Sequence, residues 1–429
     1  MKKIFLVCLT AFVLTSCFKQ TPALQPETLS EVAPSSVGMS DARLGRIDSM
    51  LTHAVSENKI PGAVALIARH GEIVYYKAFG MADNTSKTDM ELDHIFRIAS
   101  QSKAITSTAV MMLWEEGKFN LDDPISKYIP EFGDAQLLES FNEADSSYTT
   151  KPADKQITIR NLLTHTSGIG YGQIDSDARF KKLYAKAGIV DLFTTEDVAI
   201  GDNIKKLAKL PLHHNPGEKF TYSEGLDVLG YFVEIMSGMP FDEFLKTRIF
   251  EPLGMHDTQF YLPGSKYNRL VTVQTKEDNE WVKYPVTFYD TDYPKTGAKR
   301  FFSGGAGLSS TAKDYATFLQ MYLNKGELNG VRILSRTTVE TILTNQIPYI
   351  SENISAVHGL AFGLVDKKKH DLGGNSSEGT FEWGGYFNTQ YFADPKEEII
   401  GVLLKQTQRI NSDDTAGKFR VLVNQAIAD

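Results

Sequence analysis

Apolar positions follow two rhythms along this chain. After Ser40, a residue suited to cap a helix, Leu44, Ile47, Leu51 and Val55 recur at helical spacing until Pro61-Gly62 stops the run. Residues 63–68 and 73–79 are short apolar runs around Arg69-His70-Gly71-Glu72, which predicts a hairpin. A helix is predicted from Ser100 to Glu116, ending before Gly117. Thr158 predicts the cap of a helix that stops at Gly168, and Ser223 the cap of one that stops at Gly238. Near the end the strand rhythm returns over 381–393 and 398–404, around a turn at Asp394-Pro395-Lys396. Residues 118–300 read mostly as short helices and polar loops. Strands at both ends with helices between predict one α/β unit with a helical insertion.

The start of the chain carries a different signal. Lys2 and Lys3 precede an apolar run over 4–14 broken only by Thr10. The run is too short to cross about 30 Å of hydrocarbon as a helix, but it has the length of a signal-peptide core. It ends in Leu14-Thr15-Ser16-Cys17, which resembles a bacterial lipobox. That resemblance implies a signal peptide over 1–16, a lipid on Cys17, a tether over 17–37 rich in Pro, Ser, Thr and Glu, and a domain over 38–429. It also implies an exported, lipid-anchored protein of the cell envelope, with a membrane surface as partner. Phe18 stands where inner-membrane retention uses Asp, which points to the outer membrane.

Composition narrows the chemistry. Of 429 residues 42% are hydrophobic and 23% charged, enough for a substantial core, so wholesale disorder is excluded. The net charge of −8 provides no electrostatic footprint for nucleic acid. The two cysteines, Cys8 and Cys17, both fall in the leader region, so thiol nucleophiles, disulfides and Cys-ligated zinc are not expected in the domain.

The sharpest local motif is Ser100-Gln101-Ser102-Lys103 at the start of an apolar-periodic helix. Residues three apart share a helix face, with Cβ atoms roughly 5–6 Å apart. A serine hydroxyl needs a base to become a nucleophile, and an amine one turn along can serve when it is neutral. The positive helix N-terminus aims N–H groups at an oxyanion forming beside Ser100. Alone, S-x-x-K is a weak signal and reads first as an N-cap serine with an exposed lysine.

Other segments raise its weight. Tyr222-Ser223-Glu224 lies between Pro216-Gly217-Glu218 and an apolar helix, and Trp383-Gly384-Gly385 lies on a predicted strand, where glycines would let substrate approach the backbone. With residues 96–99 (Phe-Arg-Ile-Ala), 162–168 (Leu-Leu-Thr-His-Thr-Ser-Gly), 252–255 (Pro-Leu-Gly-Met) and 305–311 (Gly-Ala-Gly-Leu-Ser-Ser-Thr), this order resembles the penicillin-recognising serine hydrolases. That group includes class C β-lactamases, D-Ala-D-Ala carboxypeptidases and lactamase-like carboxylesterases. The resemblance spans roughly 38–405. It implies a β-lactamase/transpeptidase-like α/β fold, with an antiparallel sheet flanked by helices and a helical subdomain inserted over about 118–300.

The same resemblance implies the site. Ser100 would form an acyl-enzyme, Lys103 and Tyr222 would share the proton work, and the N–H groups of Ser100 and Tyr386 would form the oxyanion hole. Glu224, Trp383, Gly384 and Gly385 would face substrate, with no metal or organic cofactor. Two departures bear on that substrate, a small ester or a peptide-like acyl compound. The second motif usually ends in Asn where this chain has Glu224, and the third begins with Lys or His in β-lactamases where this chain has Trp383. Losing that cation disfavours substrates bearing a carboxylate and favours neutral esters. A pocket-facing Glu224 would pair with Lys103 and leave more proton work to Tyr222; otherwise it is a first-turn residue interacting with the helix dipole.

The alternatives are a D-alanyl-D-alanine peptidase or β-lactamase, using Lys405 or Arg409 as the missing cation, and a catalytically silent binding lipoprotein. No G-x-S-x-G or H-E-x-x-H occurs. His213-His214 are expected to point apart, His165 to be a structural hydrogen-bonder, Ser303–Gly307 to be a turn into a strand, and Lys367-Lys368-Lys369 a solvated turn.

Overall fold

The computed structural model describes residues 29–350, 357–371, 375–410 and 413–429. The leader and Cys17 lie outside the described residues. Seven strands form the main sheet: β1 (Gly62–Arg69), β2 (Glu72–Asp83), β3 (Thr88–Asp89), β4 (Gly363–Leu364), β5 (Phe381–Gly385), β6 (Thr389–Asp394) and β7 (Ile399–Leu404). Their spatial order is β4-β5-β6-β7-β1-β2-β3, and every pairing is antiparallel. The C-terminal hairpin therefore joins the N-terminal one through β7 and β1, with Leu66 opposite Val402.

β1 is buried on both faces, and its two-residue period sorts its side chains. Ala63, Ala65 and Ile67 pack with helices α1 (Asp41–Ser56) and α5 (Thr415–Gln425), through Leu44, Ile47, Leu51, Phe419 and Val423. Val64, Leu66 and Ala68 face the opposite way, toward the main core and α4 (Ala312–Leu323) with Tyr315 and Leu319. Truncating a buried leucine such as Leu51 to alanine would cost about 2–5 kcal/mol. Ser40 caps α1 by accepting from the Arg43 N–H at 3.3 Å, as its position predicted.

The helical side of the molecule is built around α2 (Ser102–Glu115), buried from Ser102 to Leu113, with α3 (Gly225–Ser237) against it. Several sequence expectations need correction. The helix begins at Ser102, not Ser100, because Ala99–Gln101 forms a separate 3-10 turn. The Thr158-capped helix ends at Leu163 instead of running to Gly168, since His165 turns into the left-handed region at φ 55°. Glu224, not Ser223, occupies the N-cap of α3. The run over 381–393 is two strands, because Tyr386-Phe387-Asn388 reverses the chain with Asn388 at φ 70°. The inserted region also holds two hairpins that polar residues concealed, Gln136–Phe141 with Tyr148–Pro152 and Gln274–Glu277 with Glu280–Lys283. Lys367–Asp371 is a short surface helix where a turn was expected.

Candidate active site

Ser100 sits in the 3-10 turn that leads into α2, where the chain is fixed from several directions. The buried Arg97 guanidinium donates to the carbonyls of Thr291 at 2.6 Å and Val271 at 2.7 Å, and the Gln406 amide both accepts from Arg97 N–H and donates to its carbonyl. Ser102 Oγ accepts from Leu308 N–H at 3.1 Å. Ala99, immediately before the serine, is held at φ 43°. A non-glycine residue there stores roughly 1–3 kcal/mol, and the contacts around it must outweigh that strain.

Lys103 is almost wholly buried, and its three N–H groups have three acceptors: Ser100 Oγ at 3.3 Å, the Tyr171 hydroxyl at 3.0 Å and the Gly305 carbonyl at 2.7 Å. Its Nζ also lies 4.7 Å from the centre of the Tyr222 ring. The Tyr222 hydroxyl donates to Ser100 Oγ at 2.7 Å, although 122 residues separate the two. The structure thus brings Ser100, Lys103 and Tyr222 together around one hydroxyl.

The segment 162–168 explains how Tyr222 arrives. His165 carbonyl accepts from Thr221 N–H at 2.8 Å, and His165 Nδ1 contacts Ser223 N at 3.2 Å and Ser223 Oγ at 3.0 Å. Burial, with His358 and Lys103 nearby, pushes His165 well below the ordinary imidazole range. A neutral ring whose Nδ1 accepts from the backbone is a brace for Tyr222, not a triad base. His213 and His214 diverge, to Asp175 at 3.1 Å and to Thr221 Oγ1 at 2.9 Å. Among the described residues no His, Cys, Asp or Glu group is arranged to hold a metal.

Gly385 ends β5 directly against the nucleophile's turn, where a β-carbon would collide with the Ile98 carbonyl oxygen. That approach needs glycine because the neighbour is backbone and cannot give way. The next N–H, of Tyr386, has no acceptor among the described residues, and Ser100 N–H begins a turn where intrahelical acceptors are lacking. Trp383 is half-buried, with its ring 6.0 Å from Tyr222 and edge-on to His358 at 5.2 Å.

A model of the Beta-lactamase family matches residues 47–425. The chain belongs to the β-lactamase family. It is 30% identical to Esterase EstB of Burkholderia gladioli over 399 residues, covering 89% of this chain and 95% of the relative. It is 32% identical to Protein Rv1367c of Mycobacterium tuberculosis over 358 residues, covering 81% and 86%. The solved structure described as EstCE1, a hydrolase with promiscuous acyltransferase activity, superimposes with TM-score 0.75 at 27% identity, covering 90% of this chain and 99% of that one. The protein is a serine hydrolase of this family, with the family's antiparallel sheet flanked by helices.

Tyr171 is the site residue that sequence reasoning missed. It is buried against Lys103, and burial pushes its phenol well above the ordinary range, with Tyr222 and nearby carboxylates adding to the effect. Its only sequence trace is the alternating glycine pattern of Gly168-Ile169-Gly170-Tyr171-Gly172. Two other expectations are corrected. Glu224 is buried at 1% exposure and makes no ion pair with Lys103, so it does not face substrate; burial, chiefly, raises its carboxyl well above the ordinary carboxylate range. Lys405 cannot meet a substrate carboxylate, because it is fully buried in a pair with Asp413 and donates to Thr415 Oγ1 at 2.8 Å. Arg409 is exposed and its guanidinium lies 5.2 Å from the centre of the Tyr284 ring.

Proposed function

We propose that this hydrolase cleaves carboxylic esters through a Ser100 acyl-enzyme. The observation that carries this reading is the convergence of the Lys103 amine and the Tyr222 phenol on one serine oxygen. Ser100 Oγ attacks the acyl carbonyl while its proton passes to the Lys103–Tyr222 pair. That pair must hold one proton fewer than an ammonium and a phenol together. An ammonium over the Tyr222 ring stabilises a phenolate, and a neutral amine beside Ser100 serves equally by geometry, so the base is the pair. The N–H groups of Ser100 and Tyr386 receive the developing oxyanion. The proton returns to the leaving alcohol, and water then releases the acid by the same steps.

Ester rather than β-lactam or peptide rests on Trp383, which stands where a cation would meet a carboxylate, and on aromatic walls formed by Tyr222, Trp383 and Tyr386, the last packed on Tyr289 and Phe193. The likeness to Esterase EstB and EstCE1 supports it. Purified protein should hydrolyse p-nitrophenyl acetate and butyrate, with turnover lost in Ser100→Ala; turnover unchanged in that variant would end the reading. A catalytically silent role sits poorly with an assembled nucleophile, amine and phenol. The peptidase or β-lactamase reading now depends on Arg409 as its cation, and stable labelling of Ser100 by a penicillin would favour it. We also place the protein at the bacterial cell envelope, lipid-anchored through Cys17, on the strength of residues 2–17; fatty-acid incorporation that survives Cys17→Ser would refute the anchor.

A further inference from the structure

Tyr171 reaches Lys103 from a loop, and a loop holds a hydroxyl in place only if its backbone is tied down. Lys103 Nζ donates to the Tyr171 hydroxyl at 3.0 Å and to the Gly305 carbonyl at 2.7 Å, and these two bonds leave its third N–H aimed at Ser100 Oγ. Where the Tyr171 hydroxyl sits therefore decides where the amine points. Two buried carboxyl groups grip the loop. Asp191 accepts from Gly172 N–H at 3.0 Å and Gln173 N–H at 2.8 Å. Asp175 Oδ2 accepts from the Tyr171 N–H itself at 2.8 Å, and its Oδ1 from Asp177 N–H at 2.8 Å.

Asp175 has a further donor from outside the loop. His213 Nε2, on a residue 38 positions further along the chain, lies 3.1 Å from the same Oδ2 that holds Tyr171. A carboxylate only accepts, so Nε2 must carry the proton of this bond, as it can in both the neutral and the charged ring. The ring is itself fixed. It stacks on the buried Phe180 ring with centroids 3.4 Å apart and planes 13° from parallel, and His213 N–H donates to Gly168 carbonyl at 2.7 Å. A β-carbon on Gly170 would collide with both Asp175 Oδ2 and His213 Nε2, so backbone, carboxylate and imidazole form one close layer.

We propose that His213 is a positioning residue: by donating to Asp175 it fixes the Tyr171 backbone, and through the Tyr171 hydroxyl it orients the Lys103 amine toward Ser100. The kinetic consequence rests on the Ser100 acyl-enzyme reading, whereas the placement of Tyr171 does not. Packing alone accounts for the stack on Phe180, since a phenylalanine would stack as well, but not for a nitrogen turned to the carboxylate that holds Tyr171. Acid–base work is excluded by the path, because Asp175 and Tyr171 stand between His213 and Lys103. The neighbouring His214 turns the other way, to Thr221 Oγ1 at 2.9 Å, one residue before Tyr222. The adjacent imidazoles thus brace the two phenols of the site, one each.

The test is a double-mutant cycle read with two substitutions of His213. His213→Phe keeps a ring for Phe180 and loses the donor; His213→Gln loses the ring and keeps an N–H donor at about the reach of Nε2. On p-nitrophenyl butyrate, His213→Phe should lower kcat about 5–20-fold with KM little changed, because the Tyr171 hydroxyl is displaced and not removed. His213→Gln should recover most of that loss. In a Tyr171→Phe background, His213→Phe should cost less than about twofold, since the hydroxyl it positions is gone. A crystal structure of His213→Phe should show the Tyr171 hydroxyl beyond hydrogen-bond distance of Lys103 Nζ. Wild-type kcat in a folded His213→Phe protein, no recovery in His213→Gln, or the same fold-loss in both Tyr171 backgrounds would each overturn the proposal. Turnover unchanged in Ser100→Ala would sink the ester reading instead, and the Tyr171–Lys103 distance in the variant structure would still decide what His213 holds. Should His213→Phe not fold, Asp175→Asn weakens the same bond from the other side and takes its place in the cycle.

Discussion

The backbone of Gly385 lies so close to the Ile98 carbonyl that no side chain fits between the end of β5 and the nucleophile's turn. This contact sets where Tyr386 N–H sits relative to Ser100, and it links the sheet to the helical side of the molecule. Gly385→Ala must push the two apart. Its kcat on p-nitrophenyl butyrate should fall about 10²–10³-fold, the cost of losing one oxyanion donor. Labelling of Ser100 by a fluorophosphonate should slow in parallel while the thermal transition remains cooperative. Wild-type kcat in a folded Gly385→Ala protein would remove Tyr386 from the oxyanion hole.

Tyr222 and Tyr171 both offer a hydroxyl to the Ser100–Lys103 unit, but on different sides. Tyr222 reaches Ser100 Oγ directly, whereas Tyr171 accepts from Lys103 and touches no reacting atom. Tyr222→Phe should therefore lower kcat about 10²–10⁴-fold, the range for a lost acid–base group. Tyr171→Phe removes one hydrogen bond to a charged group and should cost roughly 10–100-fold. Single-turnover rates with the same ester compare the two, and a larger effect from Tyr171 would make it, and not Tyr222, the phenol that moves the proton.

How legible this site was in the sequence follows from chain distance and from hydrogen bonding. Ser100 and Lys103 are three residues apart, so the spacing offered them as a pair, and the neighbouring motifs gave that pair its weight over an N-cap serine with an exposed lysine. Tyr222 is far along the chain and came into view only through the order of motifs that resembles a known family. Tyr171 and the carboxyls of Asp175 and Asp191 lack any periodic signal, because they serve a loop whose backbone N–H groups need acceptors. The hairpin at 386–388 was hidden for a similar reason: Tyr386 and Phe387 are apolar, and only Asn388 carried a turn preference. The outer sheet and α1 were readable because each has one clean apolar rhythm.

Lys405 and Arg409 were equivalent as candidate cations in the sequence, and burial separates them. Lys405 neutralises Asp413 inside the protein, with Thr415 completing the contact. Lys405→Met leaves that carboxylate buried without its partner and should destabilise the fold by about 3–5 kcal/mol in urea denaturation. The substitution should not change the preference between neutral and carboxylate-bearing esters. If substrate preference moves and stability does not, the pair is not structural.

Arg409 is the cation left at the rim, exposed over the Tyr284 ring. Should the peptidase or β-lactamase reading hold, Arg409→Ala should lower kcat/KM for an anionic ester roughly tenfold more than for a neutral one, as expected from one lost charge-assisted contact. Paired esters that differ only in a terminal carboxylate provide the measurement. A ratio unchanged by the substitution leaves that reading without a cation, and neutral esters as the substrates the site is built to accept.

Asp314, in the first turn of α4, gives the fold its own pH dependence. Its carboxyl is buried, and burial pushes it up from 3.8 to about 6, against the opposing bonds it accepts from Asp257 N–H at 2.8 Å and Thr258 Oγ1 at 2.9 Å. A carboxyl raised on folding binds its proton more tightly in the native state. The stability it contributes is present below pH about 4 and is lost as pH rises through about 6. A shift of this size corresponds to about 3 kcal/mol. Asp314→Asn cannot ionise, so between pH 4 and pH 7 wild type should lose about that much stability relative to the variant, measured by urea denaturation at both values. If the difference between the two proteins were the same at both pH values, Asp314 would be ionised in the folded state across this range, and the burial that surrounds it would have to be balanced by those two hydrogen bonds alone.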